Sequence, residues 1–544
     1  MTNPRCYGSF WIVVALAALV LAGCAGTTRD VTRFGAAPND GRDDVAAIQE
    51  TINASAAGDT VYLPAGTFLV GRTLRAKTGV AIRGQAQERT ILQVSAASPM
   101  DCLDLSGTWN VAVSGLTIDG KGSPNARHGI FAHTGGGHRI HHLTIQDLGS
   151  ANGALGIHFT GDDPSATGGV TDCIIADNTI RNIGLESEWG GGIRLSWGSS
   201  RNQVLRNAID NTGRGGIFAN DASTDLVIRG NTVTRSGYKA EKLGIEIWRA
   251  CDRAVIEDNA VDHWLSIGGA ASVAARRNTV RPRDGGYFAF IGLEVIGQDV
   301  VVTDNLVDGG EQIGLSTSND AGNTRQFCAY NTVRGMIQWA VQIQGDKAGA
   351  GLLYYYRNKF LATQRGNPAA IYPGADGRGF RFNGNCRNVT LDSNEILDNR
   401  AEGLELGGKD MDRLSFVGNV IRGNAMAAVT GDPGADLEWA DNTVAGNGDD
   451  RTPTSRGFAD AKPVADFTCP ARAATDRPVE FANTSSAPDG HVAHVLWDFG
   501  DGPPSTEFQG RHAYAKAGAY RVTLVVWNDK GRGAIRERTV TVGR

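Results

Sequence analysis

An asparagine followed two residues later by Ile, Val or Phe recurs at a near-regular spacing along the chain: Asn178, Asn207, Asn231, Asn259, Asn278, Asn305, Asn331, Asn358, Asn394, Asn419 and Asn442. Most spacings are 23–29 residues; the exceptions are 19 (Asn259 to Asn278) and 36 (Asn358 to Asn394). A short β-rich run precedes each asparagine, as in "LVIRGNTV", "AVIEDNAV" and "LSFVGNVI". A polar turn follows, and then usually a second short run opened by a small residue, such as "GIRL", "GIFA", "GIEI" or "GLEV". No helical periodicity lies between these runs. Strands this short cannot bury themselves alone; stacked coil on coil they bury a continuous core. Asparagines in register can ladder their amides and tolerate left-handed backbone at a bend. The pattern predicts an all-β parallel β-helix. A β-propeller would need about 40 residues per blade and a different motif.

The rest of the 544-residue composition fits. Glycine is frequent, 72 residues without a collagen period, which suits many tight turns. A net charge of -5 gives no electrostatic reason to expect nucleic acid. At the N-terminus, Arg5 precedes an apolar run from Phe10 to Ala22, too short to span a membrane comfortably. The run ends in Leu21-Ala22-Gly23-Cys24, which resembles a bacterial lipobox. That resemblance implies a signal peptide over 1–23, lipid on Cys24, a tether over 24–33, and an exported protein anchored to a bacterial outer membrane or cell surface. The later cysteines, Cys102, Cys173, Cys251, Cys328, Cys386 and Cys469, are widely spaced, and the repeat puts most on different coils. No CxxC-type spacing suggests a metal.

"FGAAPNDGRDDVAAIQETINAS" followed by "GDTVYLPAGTFLV" resembles the N-terminal segment of the pectate-lyase-like superfamily of right-handed parallel β-helices. Physically, Asp43 or Asp44 would cap a helix whose Val45, Ile48 and Ile52 share one face and plug the end of the solenoid. The resemblance covers residues 34–447. Residues 448–462 read as a linker. Over 463–544, "VLWDFGDG" and "HAYAKAGAYRVTLVVWNDKG" resemble a PKD domain, an immunoglobulin-like sandwich that implies a spacer or weak binder. Val522, Leu524 and Val526 alternate as a half-buried strand does. Trp497 reads as core, and Asp498 and Asp501 as turn-formers.

In "GIEIW", Ile245 and Ile247 must face the core, so Glu246 and Trp248 face outward. Aligning the same strand in successive coils predicts an outward row of Phe131, His158, Arg194, Phe218, Glu246, Ile267, Glu294, Ser316, Gln342, Arg381 and Glu405. A second row carries Ser196, Asn220 and Trp248, with Asp162, Asp163, Trp197, Asp221 and Arg249 just beyond. Glu246 and Glu294 fall two coils apart, about 10 Å at roughly 4.8 Å per coil. That is near the separation of about 6.5–9.5 Å used by inverting glycosidases, one carboxyl protonating the leaving oxygen while the other activates water. Asp221, one coil away, would act on Glu246 by like-charge repulsion. His158 is a candidate acid or base. Trp248 and Trp197 offer flat faces for sugar rings; Arg194, Arg249 and Arg381, with Asn220 and Gln342, could hold carboxylate or sulfate groups.

The family's reaction motifs are not reproduced. "TGDD" at 160–163 resembles the paired aspartates of polygalacturonases, but the accompanying Asn-Thr-Asp and Gly-His-Gly are missing, as is the Asp-Pro-His of alginate epimerases. The calcium-carboxylate cluster of pectate lyases is not identified either; resemblance to those enzymes implies that a lyase of this kind could use calcium, with Arg194, Lys242 or Arg249 as the base for elimination from a uronate. These residues predict a monomeric polysaccharide-active enzyme, glycoside hydrolysis ahead of lyase chemistry, acting on a uronic-acid-containing or sulfated chain without a resident cofactor. A non-catalytic glycan-binding adhesin is the alternative.

Overall fold

The computed structural model describes residues 26–544 except 151–152, 165–167, 238–242, 263, 282–290, 311, 321–324, 346–350 and 364–376. The expected leader, Cys24 and Lys242 lie outside the described residues.

Three parallel sheets of sixteen, fourteen and fifteen strands form the solenoid among the described residues, each coil giving one strand to each sheet. Pairing is in register from coil to coil, as in Ile193↔Ile217↔Ile245. The inward residues merge into one buried core from Val31 to Leu437. The small residue that opens the second run of each coil has a steric cause. A β-carbon on Gly216 would stand 2.2 Å from Val233 Cγ1, and one on Gly244 2.1 Å from Val261 Cγ1. The aliphatic residue two after each ladder asparagine thus packs into the space a glycine leaves.

All eleven asparagines form one unbroken ladder. Each Nδ2 donates to the next Oδ1 at 2.9–3.0 Å, from Asn178 to Asn442. The same Nδ2 also reaches a backbone carbonyl of the preceding coil, for example Asn278 to Ile256 O at 2.8 Å. The left-handed residue is not the asparagine, as the sequence suggested, but the one before it: Asp177, Arg206, Asp258, Arg277, Tyr330 and Asp441 all have φ between 50° and 58°. The amide is committed to the ladder, so the bend is made one residue earlier. A second, shorter ladder runs through Asn399, Asn424 and Asn447.

The helix Val45–Ala54 buries Val45, Ile48 and Ile52 against the first coils. Asp43 Oδ1 accepts the Val45 N–H at 2.8 Å. Asp44, at the N-cap position, instead accepts Ala37 N–H and Leu69 N–H and so ties the helix to the sheet.

The C-terminal sandwich has sheets of three and four strands with Trp497 at the centre of its core. Val522, Leu524 and Val526 face that core. The strand is buried on both sides, however, because Val525 and Trp527, with Leu496, pack on Val301, Phe327, Ala329, Leu352 and Tyr354 of the solenoid wall. Asp498 accepts Gly500 N–H at 2.9 Å, the turn-forming bond expected of it. It also receives the Arg276 guanidinium of the solenoid at 2.5 Å. Residues 448–462 form no strand, yet Asp460 is held by Arg413 and Asn528 at 3.0 and 2.7 Å. The sandwich is therefore docked along the solenoid rather than tethered beside it.

Candidate functional site

The outward row runs along the fourteen-stranded sheet. Its pairing is Phe131↔His158↔Arg194↔Phe218↔Glu246↔Ser266↔Glu294↔Ser316↔Gln342↔Arg381↔Glu405. One position differs from the sequence alignment. Ser266, not Ile267, occupies the row, and Ile267 is fully buried opposite Ile247. A bulge between Leu243 and Ile245 shortens the facing strand by one residue, and a one-residue slip exchanges the two faces.

Ser266 leaves a short side chain between Glu246 and Glu294. Its hydroxyl donates to Glu294 Oε2 at 2.7 Å, and Arg214 Nη2 lies 3.4 Å from Glu246 Oε2. The adjacent row carries Asn220, Trp248 and Gly268. The indole of Trp248 lies on Gly268, where a β-carbon would stand 2.2 Å from its Cε3. That glycine lets the ring settle over the coil between the two glutamates while 43% of the tryptophan stays exposed.

Beyond the strand ends, Trp197, Asp221 and Arg249 occupy equivalent positions of successive turns, all left-handed, with φ of 53°, 54° and 56°. This bend directs them along the rim. Asp221 is met by Arg249 at 3.4 Å and by the Asn220 amide. The like-charge pairing expected between Asp221 and Glu246 is thus interleaved with guanidiniums. On the opposite rim stands Trp189, 54% exposed, with Arg214 stacked 5.0 Å from its ring centroid.

Arg194 lies between His158 and Phe218. Its Nε donates to Asn220 Oδ1 at 3.1 Å and its guanidinium stacks 5.5 Å from the Phe218 centroid. Burial and the neighbouring Arg214 charge lower its proton affinity, while Asp221 and Glu246 oppose the shift. His158 belongs to a directed chain. Leu155 N–H donates to His128 Nδ1 at 3.2 Å, so the His128 proton sits on Nε2 and points at His158 Nδ1, 3.4 Å away. His158 then carries its own proton on Nε2, 3.3 Å from Ser196 Oγ. Burial pushes His128 down to about 4, and burial, His128 and Arg194 hold His158 well below the usual imidazole range. In this network His158 is a neutral donor.

Gln342 and Arg381 share the face but sit four and five coils from Glu246, about 19 and 24 Å away. There Arg381 stacks 4.5 Å from Trp339 and meets Glu405 at 3.4 Å, with Arg378 between Glu402 and Glu405. The structure thus gathers Glu246, Glu294, Asp221, Arg194, His158, Asn220, Trp197, Trp248 and Arg249 along one stretch and leaves Gln342 and Arg381 in a second cluster. Asp162 is engaged by His133 at 2.9 Å. Among the described residues no three His, Cys, Asp or Glu converge on a metal position. Sequence reasoning missed Trp189 and Arg214. Their signal was a bulky residue directly before the strand glycines in "EWGGGIRL" and "GRGGIF".

A family model described as right handed beta helix region matches residues 101–282, and one for the PKD domain matches 460–542. The chain is a right-handed parallel β-helix protein with a C-terminal PKD domain. The pre-pro-metalloprotease PrtV of Vibrio cholerae is 48% identical over 60 residues, 11% of this chain and 6% of that protein. The β-helix protein thus spans about 6% of the length of such curated relatives. The PKD1 domain of the same protease, as a solved structure, is 40% identical and fully covered by 15% of this chain, with a TM-score of 0.14. The A-module of Azotobacter vinelandii mannuronan C-5 epimerase AlgE6 is 15% identical, with 76% of this chain and 98% of that one covered and a TM-score of 0.41.

Proposed function

We propose that this β-helix protein is an exported, lipid-anchored enzyme that cleaves polysaccharide by glycoside hydrolysis on the face bearing Glu246. One observation carries the reading. Glu246 and Glu294 project from one row, two coils apart across the short Ser266, with Trp248 lying over the coil between them. A sugar stacked on that indole has a carboxyl on each side, borne on strands about 10 Å apart, near the carboxyl separation of about 6.5–9.5 Å of inverting enzymes. Glu246, held against Arg214, takes the proton of the attacking water. Glu294, with Oε2 fixed by Ser266, gives its proton to the leaving oxygen. Protons balance, and no cofactor enters.

Elimination is the second reading, favoured by Arg194, whose burial beside Arg214 lowers its proton affinity and suits a base acting on a uronate. Residues 26–544 are incubated with a polysaccharide panel, and reducing ends and near-ultraviolet absorbance of unsaturated products are read together, with Glu246→Gln in parallel. Reducing ends without absorbance, lost in the variant, support hydrolysis. New absorbance replaces it with elimination. Binding without product, unchanged by the substitution, leaves a glycan-binding adhesin.

A further inference from the structure

The geometry around Arg194 points to an anion-binding subsite, and we propose that it holds an anionic group of the polysaccharide, a uronate carboxylate or a sulfate ester. This rests on the reading of the same face as a polysaccharide groove and narrows its substrate to an acidic chain.

Four other arginines of this face are each matched to a carboxylate: Arg127 with Asp101 at 2.5 Å, Arg214 with Glu246 at 3.4 Å, Arg249 with Asp221 at 3.4 Å, and Arg381 with Glu405 at 3.4 Å. Arg194 is not. Among the described residues its one hydrogen-bond partner is the neutral Asn220 amide oxygen, through Nε, and no carboxylate stands within ion-pair distance. Its two Nη groups are left for a ligand. The charge is also placed at a cost. It sits partly buried beside a second cation, Arg214, and both guanidiniums lie over the same ring, 5.5 and 6.0 Å from the Phe218 centroid. A desolvated cation next to a like charge is unfavourable until an anion joins it.

The surroundings select the sign and shape of that anion. The Phe218 ring beneath it and the Asn220 bond on Nε position the guanidinium and leave its Nη groups to make paired hydrogen bonds with the oxygens of one anionic group. On the adjacent coil His158 is neutral and gives its Nε2–H to Ser196 Oγ at 3.3 Å, so it places no negative charge beside the guanidinium. Arg194 and Glu246 are two coils apart, about 10 Å, so the charge is read beside the bond that is cut and not at it.

Affinity of the full chain for polygalacturonate, its fully methyl-esterified form and a sulfated glucan, measured by titration calorimetry, tests this. At least one acidic polymer should bind about tenfold or more tightly than the ester, as expected for charge-assisted bonds. Arg194→Met should remove that margin without weakening the ester, and Arg194→Lys should keep part of it, with unchanged circular dichroism and melting. A preference for the uronate or for the sulfated chain identifies the group. Equal affinity for acidic and esterified polymer, or a margin that survives Arg194→Met, overturns the subsite. The two readings separate cleanly. If Glu246→Gln still cleaves, the hydrolase assignment fails while the anion preference stands; a lost preference with cleavage intact does the reverse.

Discussion

Arg276 carries a buried charge. Only 1% of it is exposed, and it lies between the solenoid and the PKD domain. Nη1 meets Glu257 at 3.1 Å and the Gly502 carbonyl at 2.7 Å; Nη2 meets Asp498 at 2.5 Å. Removing one partner of a buried ion pair costs about 3–5 kcal/mol because the other charge is left uncompensated. Here Arg276→Ala should fall near about 3 kcal/mol. Glu257 keeps Arg229 and Arg277 at 3.0 and 3.1 Å, so the orphans are Asp498, which among the described residues retains the Gly500 N–H alone, and the Gly502 carbonyl. The cost falls on docking, not on either core. Denaturant unfolding should resolve a separate, earlier PKD transition, and limited proteolysis should open residues 448–462. Adding Asp498→Ala to Arg276→Ala removes the orphaned charge, so the double variant should be more stable than Arg276→Ala alone. If the two single costs simply add, or if Arg276→Ala costs under about 1 kcal/mol, the buried pair is not what holds the domains together.

Three further outcomes follow from contacts already described. His128 is held at about 4 in the folded protein against an ordinary value near 6.5. The unfolded chain therefore binds more protons between these values, and His128 stabilises the fold fully above pH 6.5 and progressively less down to about 4, by about 3 kcal/mol in all. Denaturation midpoints should fall on acidification through that window, and His128→Gln should flatten the dependence. Asn278→Ala strands the amide of Asn259 and the carbonyl of Ile256 inside the ladder. It should cost about 3 kcal/mol or more, against about 1 kcal/mol for Asn442→Ala at the half-exposed end, by denaturant titration. Burial pushes the thiols of Cys102, Cys173, Cys251 and Cys386 up to about 12. Alkylation of the native protein followed by mass spectrometry should modify Cys469 well before these four.

Much of the fold is local and therefore legible. The asparagine period fixes the coil, the alternation in "GIEIW" fixes which residues face out, and the apolar face of residues 45–54 fixes the capping helix. Each depends on one residue type recurring at one spacing. What failed needed neighbours. Ile267 fell in the outward row only because the coils were aligned without the one-residue shift at Leu243; the pairing puts Ser266 opposite Glu246 and Ile267 in the core. The left-handed bend was assigned to the asparagines because they tolerate it, whereas ladder bonding moves it one residue upstream. The sequence by itself determined the parallel β-helix and most of the outward row, because those follow from periodicity, and its resemblance to a PKD domain implied the sandwich. Tertiary structure decided which of those charges matter. Trp189 and Arg214 reach the groove from turns between strands, Asp498 finds Arg276 more than two hundred residues away, and Arg194 is left without a carboxylate partner among the described residues. Charge compensation is set by who is adjacent in space, and no period in the chain encodes that.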